Sequence, residues 1–129
     1  MTKGTTPRPT AAELEILRVL WERGPSTVRD VHDELGHRRA TGYTTVLKLL
    51  QIMTEKGIVR RDERERAHLY EARLPQEETE KQLVGDLVDR AFGGSAARLV
   101  MQALSGRTAS AEELSDIRRL IDTLEGDGR

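Results

Sequence analysis

The spacing of apolar residues changes at Gly57 and changes back at Pro75, and those two switches decide what this chain can fold into. Before Gly57 the apolar residues recur at intervals of three and four, the period of a helix with one buried face. Between Ile58 and Ala72 that period is lost, and two short stretches, Ile58 to Arg61 and Ala67 to Ala72, are predicted as strands around a polar tip from Asp62 to Arg66. Beyond Pro75 the helical period returns. The expected order is therefore three helices, one hairpin, then helices again.

Local punctuation supports each boundary. Thr10-Ala11-Ala12-Glu13 fits a capping box, in which the threonine hydroxyl and the glutamate carboxylate each accept from the other's backbone N–H. Leu14, Leu17, Leu20 and Trp21, widened by Ile16 and Val19, form the buried stripe that follows, and Gly24-Pro25 ends it. Ser26 or Thr27 opens a second helix bearing Val28, Val31 and Leu35, with Gly36 suited to its C′ position. Thr41 or Gly42 opens a third, with Val46, Leu49, Leu50 and Met53 inward and Gly57 closing it. Thr44, Thr45, Lys48 and Gln51 are left on its outer side.

After Pro75 a stripe of Leu83, Val84, Leu87, Val88, Ala91 and Phe92 stops at Gly93-Gly94. Ser95 is placed to cap Ala96 to Leu104, and Ser110-Ala111-Glu112-Glu113 is a second capping box. The last helix carries Leu114, Ile117, Ile121 and Leu124 at spacings of three, four and three, the seam of a short coiled coil. Three thin stripes bury little area against the entropy of ordering them, so these helices need another surface. A second copy of the chain is the simplest source.

Composition narrows the function. Cysteine is absent, which removes disulfides and thiolate chemistry. The start, MTKGTTPRPT, has no apolar run, and no window approaches the roughly 18 to 20 apolar residues of a membrane span. A soluble cytoplasmic protein is expected. Net charge is only -1, but residues 37–73 hold nine Lys/Arg against five Asp/Glu, while residues 74–129 hold seven against eleven. A basic middle and an acidic end are suited to different partners.

A helix, a short turn, a second helix and a hairpin make a winged helix-turn-helix, whose later helix enters the major groove by its N-terminal residues. Thr41, Gly42, Tyr43, Thr44, Thr45 and Lys48 are then the candidate groove residues. Arg38 and Arg39 precede them, within reach of the flanking backbone. Arg60, Arg61, Arg64 and Arg66 surround the hairpin tip, where Asp62, Glu63 and Glu65 limit how many can meet phosphate. One or two of the four are expected to do so.

The stretches "AELEILRVLW", "YTTVLKLLQIMTEKGIVRR", "AHLY" and "FGGSAARLVMQAL" together resemble the BlaI/MecI family of penicillinase repressors, from about Thr10 to Leu124. The resemblance implies a bacterial homodimeric repressor that binds a palindromic operator of double-stranded DNA and dimerises through its C-terminal helices. Leu83, Leu87, Leu99, Leu114, Ile117, Ile121 and Leu124 are the dimerisation candidates. It further implies derepression by cleavage, under a membrane-bound sensor metalloprotease, at the bond between Gln102 and Ala103. The antibiotic-resistance repressors commonly carry Asn and Phe there, and this chain does not. The cysteines of copper-responsive relatives are also missing.

The expected fold is mainly α: a disordered tail over residues 1–9, a winged-helix DNA-binding domain over 10–74, a helical dimerisation domain over 75–125 and a flexible tail over 126–129. No cofactor or metal is expected, and no enzyme. His32, His37 and His68 lack cysteine partners, and no phosphate-binding glycine loop or nucleophile elbow occurs. Two alternatives stay open, a winged helix used for protein contact and a ligand-sensing repressor, although the few aromatic residues give little material for a pocket.

Overall fold

The computed structural model describes residues 8–36 and 41–127. Three helices, α1 (Ala11–Arg23), α2 (Val28–Gly36) and α3 (Tyr43–Lys56), precede an antiparallel hairpin of β1 (Val59–Asp62) and β2 (Leu69–Ala72), and α4 (Gln76–Ala91), α5 (Ala96–Gly106) and α6 (Ala111–Asp127) follow. The order is the one the apolar spacing predicts. Two compact units meet in sequence between Leu83 and Val84, inside α4.

In the first unit Ile16, Leu17, Val19 and Leu20 of α1 bury against Val31 and Leu35 of α2, Val46, Leu50 and Met53 of α3, and Val59 and Tyr70 of the hairpin. Leu49, expected inward, is only partly covered. The Thr10 capping box forms: Thr10 N–H donates to Glu13 Oε1 at 2.9 Å and Glu13 N–H to Thr10 Oγ1 at 3.2 Å. Glu13 is also buried, and its Oε1 accepts from Lys56 Nζ at 2.8 Å, tying the start of α1 to the end of α3.

Of the two caps considered for α2, Thr27 is the one used. Its N–H donates to Asp30 Oδ2 and its Oγ1 accepts from Asp30 N–H, both at 3.0 Å. The Asp30 pKa is lowered, first by the Thr27 backbone N–H, then, against the opposing effect of burial, by the Thr27 side chain and Arg23. Ser26 is instead a one-residue bridge to the sheet: its N–H donates to Tyr70 O at 3.0 Å and its carbonyl accepts from Tyr70 N–H at 2.8 Å. Gly36 lies inside α2 rather than beyond it.

Gly57 closes α3 at φ 79°, the left-handed conformation that glycine adopts without steric cost. The hairpin pairs Val59 with Ala72 and Asp62 with Leu69. Both strands are therefore shifted from the sequence expectation, because Ile58 N–H is held by Met53 O at 3.0 Å in the helix cap, and residues 67 and 68 belong to the connection. Trp21 Nε1 donates to Leu74 O at 3.0 Å and pins the exit of the hairpin to α1.

The second unit is well formed locally and thinly packed. Val88 O accepts from Phe92 N–H and Gly94 N–H, with Gly93 and Gly94 at φ 59° and 85° to turn the chain. Ser95 caps α5 through Arg98 N–H, and α5 runs two residues past Leu104. Ser110 and Glu113 complete their capping box at 2.9 and 3.0 Å. No residue of α5 is buried.

Candidate nucleic-acid interface

The start of α3 differs from that of its neighbours. Thr10, Thr27, Ser95 and Ser110 each present a hydroxyl that accepts from the first turn of α1, α2, α5 and α6. Gly42, at the same position of α3, has none, and the first turn carries no acid. The leading N–H groups of a helix lack intrahelical partners and bear a partial positive charge, so an uncapped, acid-free turn is a place for an anion. Around it Tyr43, Thr44, Thr45 and Lys48 are exposed and Thr41 half-buried. Val46, Leu50 and Met53 hold the opposite face of the helix in the core, which fixes the direction of the exposed one. Tyr43 is further held by His32 of α2, the two rings meeting edge to face at 5.9 Å.

The hairpin sorts its arginines. Arg64 forms a forked pair with Asp62, Nε and Nη2 lying 3.0 and 2.7 Å from its two oxygens, and its backbone N–H donates to the same carboxylate. The hydrogen bonds from Arg64 hold the Asp62 carboxyl down to about 2, and the Arg64 pKa is raised in turn. Arg61 shares the core-side face with Tyr70, its cross-strand partner, and pairs with Glu63 at 2.6 Å. Its pKa is raised, chiefly by the Tyr70 side chain and then by Glu63. Arg60 and Arg66 are exposed and have no ion pair among the described residues. Arg38 and Arg39 lie outside the described residues.

Residue order could not show this sorting, since two of the four arginines are occupied by acids two positions away and two are not. Sequence reasoning also missed the cleft beside α3, lined by Thr27, Arg29, Tyr43, Leu47, Arg66 and Tyr70 among others. No group of three or more His, Asp or Glu among the described residues is placed to hold a metal ion. Among the described residues no helix is long and apolar enough to cross a membrane.

In the second unit the expected dimerisation residues divide. Leu87, Ile121 and Leu124 are exposed, whereas Leu83 at the end of the first unit, and Leu99, Leu114 and Ile117, are half-buried. Gln102 and Ala103 are exposed on α5.

Comparison with known proteins follows the same lines. The family model for the penicillinase repressor matches residues 9–123. The transcriptional regulator BlaI of Mycobacterium tuberculosis is 32% identical over 114 residues, covering 88% of this chain and 82% of the relative. The penicillinase repressor of Bacillus licheniformis is 20% identical over 116 residues, 90% of this chain and 91% of its own. Among solved structures, the DNA-binding domain of the repressor BlaI superposes with a TM-score of 0.52 at 21% identity, covering 59% of this chain and 93% of that one. The monomeric form of B. licheniformis BlaI, solved in complex with the blaP half-operator, gives 0.51 at 22% identity, with 57% and 90% covered. These likenesses establish the winged-helix fold.

Proposed function

Because the chain belongs to the penicillinase repressor family, we propose that it is a sequence-specific DNA-binding transcriptional repressor acting in the cytoplasm, with α3 in the major groove and the hairpin against the flanking backbone. The observation that carries the reading is the open start of α3: no capping side chain, no acid in the first turn, and Thr44, Thr45 and Lys48 exposed around it. Threonine offers a hydroxyl and a methyl to base edges, and Lys48 a cation to guanine or phosphate. Arg60 and Arg66, without an ion pair among the described residues, are the wing cations nearest to hand for phosphate.

Selection from a random duplex library tests this directly. The expected product is one palindromic motif whose half-sites lie about one helical turn, or a multiple of it, apart. Its affinity should fall steeply with salt, and Lys48→Ala should weaken it. Recovery of no motif, or equal affinity for every duplex, overturns the reading.

The palindrome requires two copies, and the apolar side chains left exposed on α4, α5 and α6 support a homodimer built by the second unit. Cleavage between Gln102 and Ala103 would remove α6 and with it the linkage between half-sites. A membrane-bound sensor metalloprotease is the partner this implies. A fragment ending at Gln102 in derepressed cells is the expected mark, and intact chain under derepression removes the protease from the mechanism.

A further inference from the structure

A cleft of about 370 Å³ lies beside the first turn of α3, bounded by the start of α2 and by the connection between β1 and β2. We propose that this cleft binds a small amphipathic organic anion, a carboxylate on a flat apolar body, and that the bound anion opposes duplex binding. The second half of this statement rests on the repressor reading; the first does not.

The lining has two chemically distinct parts. Val28 and Tyr70 are buried and Leu47 packs against the core, which gives the cleft an apolar floor. Arg29 and Arg66 also line it, and neither has an ion pair among the described residues. No carboxylate among the described residues lines it. On the hairpin, Arg61 and Arg64 are neutralised by Glu63 and Asp62, so Arg66 differs from them in keeping its charge available. Both tyrosines of the chain line the cleft, Tyr70 buried in its floor and Tyr43 exposed beside it.

The size falls at the small end of the roughly 300 to 1,000 Å³ typical of small-molecule sites, which combine apolar walls with a few placed polar groups. A bare phosphate would meet the two guanidiniums and leave the Val28, Leu47 and Tyr70 floor against water. An anion with an apolar body meets both, and guanidinium pairs with carboxylate through two parallel hydrogen bonds. Tyr43 stands in the first turn of α3 and Arg66 on the hairpin, the two elements assigned to the duplex. Ligand and duplex therefore draw on the same side chains, and each must lower the affinity for the other by the same factor.

The test titrates the free full-length protein with 2-naphthoate, followed by its fluorescence, against neutral 2-naphthamide and inorganic phosphate as controls. Saturable binding of naphthoate is expected, with the amide weaker and Arg29→Ala reducing naphthoate affinity about tenfold, the effect of one charge-assisted hydrogen bond. Naphthoate should also displace the selected duplex. Absence of saturable binding overturns the proposal, as does phosphate binding as tightly as naphthoate or an Arg29→Ala variant that binds unchanged. If naphthoate binds without displacing duplex, the coupling is wrong. Naphthoate binding by a protein that selects no duplex leaves the cleft assignment standing and removes the repressor reading; selection of a duplex without naphthoate binding does the reverse.

Discussion

Ser110 and Glu113 cap α6 with the same reciprocal pair of hydrogen bonds that Thr10 and Glu13 make at α1. Their surroundings are opposite. Glu13 is 2% exposed and bound a second time by Lys56, whereas Glu113 lies in solvent. The contrast extends to the two units. Thirteen apolar residues form the buried cluster of the first, while Val88 is the only buried apolar residue described after Leu83. Conversely, Val84, Leu87, Val100, Met101, Leu104, Leu120, Ile121 and Leu124 remain exposed in the second. Good caps make helices; they do not make a core, and most helix stability in a protein comes from burying an apolar face. The first unit does this within one chain, and the second has the faces without the cover.

The sharpest way to break this comparison is a charge on the uncovered face. If the proposed homodimer is built on this face, Ile121→Glu should convert it to monomer in light scattering and reduce affinity for the selected duplex by on the order of 10²- to 10⁴-fold, the gain that linkage supplies. The far-ultraviolet spectrum of the first unit should be retained. An unchanged dimer would place the interface elsewhere.

A second pair of variants contrasts the units by stability. Leu50 is fully buried, so Leu50→Ala should cost about 2–5 kcal/mol in urea unfolding. Leu124 is 59% exposed, and Leu124→Ala in dilute, monomeric protein should cost within about 0.5 kcal/mol. Equal costs would mean that Leu124 is covered within its own chain.

The smallest effect concerns the hairpin. Asp62→Asn should release Arg64 and steepen the salt dependence of duplex binding by up to about 0.9 in log–log slope. The pH behaviour follows from the Asp62 pKa, which lies at about 2 against an ordinary 3.8. A depressed carboxyl favours the folded pair above the ordinary value, and that contribution is lost as pH falls through about 2. The pair should therefore persist unchanged from neutral pH to about 4. Carbon NMR of the Asp62 carboxyl checks this, and a midpoint at 3.8 would show that the fork with Arg64 is not made in solution.

What could be read from sequence was local. The capping boxes at Thr10 and Ser110 and the glycine stop at Gly57 depend on neighbours within four residues, and all three are present in the fold. The hairpin was legible as an element and shifted in its limits, because Met53 reclaims Ile58 for the helix cap. Pairings across the chain left no comparable signal. Nothing near Glu13 announces Lys56, forty-three residues on, and Ser26 reads as a cap until Tyr70 is brought beside it. The exposure of Thr44, Thr45 and Lys48 was legible from the apolar face opposite them. The division of Arg60, Arg61, Arg64 and Arg66 into paired and unpaired was not, since it depends on how the hairpin tip folds back.

Gly42 has a consequence for how evolution can adjust this chain. Its backbone, at φ -72° and ψ 156°, suits any residue, and among the described residues an added Cβ would meet nothing within 4 Å. A Gly42→Asp chain would finish α3 by itself and gain a few tenths of a kcal/mol in stability. The new carboxylate would occupy the amides and repel phosphate, so duplex affinity should fall as the melting temperature rises. Improvement of the free protein and improvement of its recognition pull in opposite directions at this residue, and a screen for thermal stability alone would select against function.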